Sequence, residues 1–114
     1  MDRDAKAAAR LTELAAKYIA REAGRSTLIT PTRTLFQRDH KHAVIHFTVF
    51  PDADAPNALA FMKRHRDDFR DFIKKEGRFK MLPFIEFAID VGEEHRRHLD
   101  EISKDIILGD SSDT

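Results

Sequence analysis

Residues 42–50, His-Ala-Val-Ile-His-Phe-Thr-Val-Phe, alternate with a period of two. Ala43, Ile45, Phe47 and Val49 fall on one face of an extended chain, and Val44, His46, Thr48 and Phe50 on the other. Such a strand needs partners, and two other stretches can supply them. Residues 27–36 are rich in Thr and place Thr30, Thr32, Thr34 and Phe36 on one face. Pro31 interrupts them, so this strand is expected to bend or to lie at an edge. The run from Arg78 to Asp90 passes two cations and Pro83 before a short alternating strand with Ile85, Phe87 and Ile89 on one face. Arg38 to Lys41 make a polar turn, which predicts an antiparallel pair of 27–36 with 42–50.

The remaining segments read as helices. Over residues 4–22, Leu11, Leu14, Ala15, Tyr18 and Ile19 form one apolar stripe, and Gly24 is a plausible stop. After the break at Pro51-Asp52-Ala53-Asp54, Asp54 is placed to cap a second helix, with Pro56 in its first turn. That helix runs from about Ala55 to Glu76, with Leu59, Met62, Phe69, Phe72 and Ile73 at helical spacing. The stripe fails at His65-Arg66-Asp67-Asp68, which predicts a kink or break within 64–68. Gly77 ends the helix. A short helix over Glu93–Ile102 follows the last strand. The predicted order is α-β-β-α-(kink)-α-β. Three strands cannot bury both faces alone, and helices on one face give a two-layer α+β domain. That order is the order of a type II KH domain, an RNA-binding module.

The chain has 114 residues and no cysteine. One domain is expected over 1–108, with a disordered polar tail over 109–114. Disulfides and thiolate metal sites are excluded. No stretch approaches the roughly 18 apolar residues of a membrane span. The charged Met1–Lys6 segment does not read as a secretory signal. These features predict a soluble, cytoplasmic monomer. Formal net charge is zero, but its distribution is uneven. Residues 25–50 carry a net +3, and residues 63–80 hold eight cations against four acids. Residues 81–114 hold three cations against nine acids. A basic middle beside an acidic end is a mark of polyanion binding.

The candidate RNA-binding residues are Arg33, Arg38, Lys41, Lys63, Arg66, Arg70, Lys74, Lys75, Arg78 and Lys80, with Arg64 beside them. Such cations neutralise phosphates and release counterions. Lys63, Arg66, Arg70 and Lys74 recur every three or four residues and would share a helix face. Asp67, Asp71 and Glu76 could instead pair with them, leaving only a solvated face. The six histidines are His40, His42, His46, His65, His95 and His98. His40 with His42, and His95 with His98, have pairwise spacing, but no cysteine joins them, and surface or stacking roles are preferred to metal. The serines lack a nucleophile-elbow context, and the four glycines are scattered. No catalytic residue, metal or cofactor is therefore assigned. Phe61, Phe69, Phe72, Phe79, Phe84 and Phe87 read mostly as core, while Phe50 or Phe84, if exposed, could stack on a base.

The run Arg38–Phe50 resembles the second-strand signature of the ribosome-binding factor A family. Phe69-Arg70, Phe72-Ile73, Arg78, Lys80, Pro83, Phe87 and Asp90 follow in that family's order and spacing, and Leu99 and Ile102 match apolar positions of its terminal helix. The resemblance covers roughly residues 7–103. It implies a non-enzymatic cytoplasmic factor that binds the immature small ribosomal subunit and assists late maturation of its rRNA. The family kinks its helix at an Ala-x-Gly motif, which aligns here with His65-Arg66-Asp67. The first helix also lacks the family's Arg-rich opening. Two other readings stay open at this point: a KH-like RNA binder outside ribosome assembly, and a protein-interaction module whose charges only solubilise it.

Overall fold

The computed structural model describes residues 3–24 and 26–91. The helix expected over 93–102, with His95 and His98, and the tail expected over 109–114 lie outside the described residues. Helix α1 spans Arg3–Glu22, and strands β1 and β2 span Leu28–Phe36 and His42–Phe50. A single 3-10 turn at Asp52–Asp54 leads into α2, Ala55–Arg64, followed by α3, Arg66–Gly77, and β3, Phe84–Ile89. The sheet order is β1-β2-β3. β1 runs antiparallel to β2, and β3 runs parallel to it. The predicted element order and the antiparallel first pair are both present.

The core lies between one face of the sheet and the helices. From β2 it receives Ala43, Ile45, Phe47 and Val49, all buried, as the alternation requires. β3 adds Ile85 and Phe87, and α1 adds its whole predicted stripe of Leu11, Leu14, Ala15, Tyr18 and Ile19. Met62 of α2 and Phe69 and Ile73 of α3 close the layer, with Leu59 packed at its margin. Each large side chain withdrawn in this way contributes about 1.5–3 kcal/mol. Tyr18 brings a polar tip into this core. Its hydroxyl donates to Asp68 Oδ2 at 2.6 Å, and its ring meets Phe69 edge-on at 5.3 Å.

Strand β1 corrects the sequence reading. Pro31 pairs with Phe47 but Arg33 pairs with His46, so Thr32 is an extra residue in a β-bulge. A bulge exchanges the two faces of the strand beyond it. Ile29 is therefore buried before it and Thr34 after it, while Thr30 and Thr32 face solvent. Thr30, Thr32, Thr34 and Phe36 do not share a face. Pro31 and the bulge sit on an edge strand, where a missing N–H is tolerated.

Asp54 also departs from its expected role. The 3-10 turn before α2 leaves it with helical angles (φ −86°, ψ 0°), and its side chain does not cap the helix. Its Oδ2 instead accepts the Thr27 hydroxyl at 2.7 Å, tying the start of α2 to the approach of β1.

The break between α2 and α3 falls at His65, inside the predicted window. The backbone N–H of His65 donates to the Phe61 carbonyl at 3.1 Å. The same carbonyl accepts His65 Nδ1–H at 2.9 Å, which fixes the proton on Nδ1 because a carbonyl can only accept. The imidazole is thus a second donor to a carbonyl that keeps its ladder bond, and the break lies in the His65 backbone (φ −95°, ψ 10°). The imidazole also stacks on the Phe61 ring, 4.1 Å between centroids. The kink thus forms without Ala or Gly. It also takes Lys63 off the helix that carries Arg66, Arg70 and Lys74.

Candidate nucleic-acid interface

The hairpin turn between β1 and β2 is built around Asp39. Its Oδ1 accepts the backbone N–H groups of Lys41 and His42 at 2.8 and 3.1 Å, and its Oδ2 accepts His42 Nδ1–H at 2.6 Å. These donors, the Lys41 N–H foremost, hold the Asp39 carboxyl below the usual carboxylate range. His40 takes the left-handed conformation at the turn (φ 59°), and its ring is hydrogen-bonded to Asp4 at the start of α1. His40 and His42 therefore answer to two different carboxylates rather than to one shared ligand.

The loop between α3 and β3 approaches this turn from the other side. α3 ends at Gly77, and the left-handed residue that closes it is Arg78 (φ 54°). A glycine would be the usual choice there. Gly77 is instead fixed by packing: a Cβ at this position would stand 2.7 Å from the Phe79 ring and 2.9 Å from Leu14. Further on, Arg70 Nη1 donates to the Pro83 carbonyl at 2.5 Å, and the Phe84 N–H donates to the Lys41 carbonyl at 2.8 Å. These two bonds draw the loop over 78–83 against the hairpin turn.

Between them lies a groove of about 1130 Å³. Lys41, Arg78 and Lys80 line it, together with Arg3, Phe36, Met81 and Phe84. Met81 and Phe84 are 84% and 61% exposed. Asp4 is the acid in the lining, and His40 pairs with it. Among the described residues, no carboxylate lies within ion-pairing distance of Lys41, Arg78 or Lys80, and none of Asp67, Asp71 and Glu76 forms an ion pair.

The sequence-predicted cations thus separate into groups. Lys41, Arg78 and Lys80 line the groove, and Arg38 is exposed in the same hairpin turn. Lys74 and Lys75 are exposed on the last turn of α3, just before Arg78. Lys63 is exposed at the end of α2, and Arg66 is half-buried at the break, its Nε buried without a hydrogen-bond partner among the described residues. Arg70 is half-buried and committed to Pro83. Arg33 stands beside the bulge, its Nε 3.7 Å from Asp90 Oδ2, and does not line the groove. Sequence reasoning missed Arg3. Only the packing of α1 over the sheet brings it to the hairpin turn, and no local motif marks that.

No protein-family model matches the chain, and no curated protein matches it. Solved structures do. The crystal structure of ribosome-binding factor A from Thermus thermophilus superposes with a TM-score of 0.64 at 23% identity, over 75% of this chain and 93% of that one. This is the fold of ribosome-binding factor A. A solution structure of a Thermotoga maritima protein, provisionally described as a ribosome-binding factor A, gives a TM-score of 0.59 at 23% identity. The superposition covers 79% of this chain and 89% of the Thermotoga protein. The α+β scaffold expected from the sequence resemblance is therefore present. No described helix is long and apolar enough to cross a membrane.

Proposed function

We propose that this protein is a ribosome-associated assembly factor that binds the immature small ribosomal subunit and assists late maturation of its rRNA. It acts by binding, as a cytoplasmic monomer, and carries out no covalent chemistry. The observation that carries this reading is the set of cations, Lys41, Arg78 and Lys80, without an ion-pair partner among the described residues, around one groove on a ribosome-binding factor A fold. Cations without carboxylate partners are free to exchange their counterions for phosphates. Arg38, Lys74 and Lys75 extend the basic surface beside the groove, and Lys63 and Arg66 lie further along the helices. Arg33 is the member of the sequence-predicted set with the least claim, since Asp90 already faces it.

Co-sedimentation with purified small ribosomal subunits, mature and immature, at low and high salt tests this function. The expected result is binding that favours immature particles and weakens steeply with salt. Binding to free RNA but to neither particle would leave a general RNA binder. Binding to no RNA at low salt would leave a protein-interaction module.

A further inference from the structure

We infer that Phe84, backed by His42, is a stacking platform for one unpaired base of single-stranded RNA, with Lys41 and Lys80 receiving the flanking phosphates. This rests on the RNA-binding reading above and names the class of nucleic acid that the groove takes.

Four contacts point to a platform rather than to an incidental surface ring. An exposed apolar side chain needs no explanation by itself. Phe84, however, is anchored through its backbone and through one ring partner. Its N–H donates to the Lys41 carbonyl, and the carbonyl of the preceding residue, Pro83, accepts Arg70. Its ring lies on the His42 imidazole, 5.0 Å between centroids and 25° from parallel. His42 is itself held by Asp39 at 2.6 Å. A hydrogen bond from imidazole to carboxylate and a stack of imidazole on phenyl thus hold a ring that is 61% exposed.

The surroundings supply the second half of a nucleotide site. Lys41 precedes the backing histidine and Lys80 lies in the opposing loop, and neither is ion-paired among the described residues. Aromatic surface for bases beside cations for the backbone is how single strands are bound without sequence readout. Bases paired within a duplex do not offer their faces to such a ring. Phe50 provides the contrast. It is 71% exposed, but it has no ring partner among the described residues and does not line the groove.

The test is fluorescence anisotropy on the full 114-residue chain, with a labelled twelve-nucleotide RNA used as a single strand and as a blunt duplex. The variants are Phe84→Ala, Phe84→Leu, Phe84→Tyr and the double variant Lys41→Ala/Lys80→Ala, each checked for fold by circular dichroism. Losing one stacked base should weaken single-strand binding by roughly 5- to 100-fold in the Ala and Leu variants, while Tyr retains it. Duplex binding should change little. The salt slope should stay near wild type in the Phe84 variants and fall in the lysine double variant. Wild-type affinity in Phe84→Leu, or equal losses on both RNAs, would overturn the platform. Loss in the lysine variant alone would leave the RNA-binding reading standing without it. If wild type binds neither RNA at low salt, both readings fall.

Discussion

Arg70 and Pro83 stand thirteen residues apart and are joined by a hydrogen bond from guanidinium to carbonyl. That bond makes Arg70 a structural cation, although its place in the charge pattern matches that of Lys74. Hydrogen bonds to a charged group contribute about 1.5–3 kcal/mol. Arg70→Ala should therefore lower unfolding stability by about that amount. Lys74→Ala, on an exposed turn, should stay within about 0.5 kcal/mol of wild type. Urea denaturation of the two variants measures the difference. Equal midpoints would show that the bond to Pro83 contributes nothing.

The end of α3 invites two opposite substitutions. Gly77→Ala adds a methyl group against Phe79 and the buried Leu14. Overpacking costs about 1–3 kcal/mol, partly offset by the ~0.5–1 kcal/mol that Ala gains over Gly in a helix. A net loss of about 1 kcal/mol is expected. Arg78→Gly relieves a left-handed residue of its Cβ and should gain about 1 kcal/mol. A midpoint shift in the same direction for both would contradict this account.

How much of this was legible in the sequence depended on how local the determinant was. The stripe of α1 and the alternation of β2 each lie within one element, and both were readable. The break at His65 was readable because polar side chains interrupt an apolar stripe. The bulge at Thr32 was not, since it is a property of the pairing between β1 and β2 rather than of β1. Of the groove, Lys41, Arg78 and Lys80 were recognisable as cations, and Phe84 as a ring that could stack. Their convergence was not, because it depends on the bonds from Phe84 to Lys41 and from Arg70 to Pro83. Charge spacing and the family-like Phe69-Arg70 pair put Arg70 among the candidate RNA contacts, while its link to Pro83 lies beyond any helical pattern.

The core reading has a direct check at Phe87. This ring is 6% exposed and meets Phe47 edge-on, with Phe69 tilted against it at 6.0 Å. Phe87→Ala should cost about 3–5 kcal/mol, the usual range for truncating a buried Phe. An unchanged melting temperature would remove Phe87 from the core.

Tyr18 gives a pH signature. Burial first, and then the hydrogen bond to Asp68, push its phenol well above its ordinary value. A group whose folded pKa is raised contributes its stability fully below the unfolded value. That contribution is lost as pH rises from there through the folded value. The unfolded value for Tyr is about 10. At pH 7, Tyr18→Phe should be less stable by about 1 kcal/mol, for the lost hydrogen bond. The gap should narrow as pH climbs above about 10, because wild type alone must hold back this ionisation. A gap that stays constant from pH 7 to 11 would separate Tyr18 from the alkaline transition.

The salt dependence of binding to small-subunit particles separates groove cations from ordinary surface cations. Each phosphate contact to a single strand contributes about 0.7 to the slope of log affinity against log salt, and each contact to a duplex about 0.9. Lys41→Ala/Lys80→Ala should then reduce the slope by about 1.4–1.8 and weaken binding at low salt. Both side chains are exposed and free of ion pairs among the described residues, so stability should stay near wild type. Lys17→Ala removes an equally exposed cation from α1 that does not line the groove. It should leave the slope unchanged. Arg70 is kept out of the comparison because its loss would move the loop that carries Lys80. A folded double variant with the wild-type slope would place the RNA-facing surface elsewhere. Equal reductions from Lys17→Ala and from the groove variant would mean that total charge, rather than the groove, governs binding.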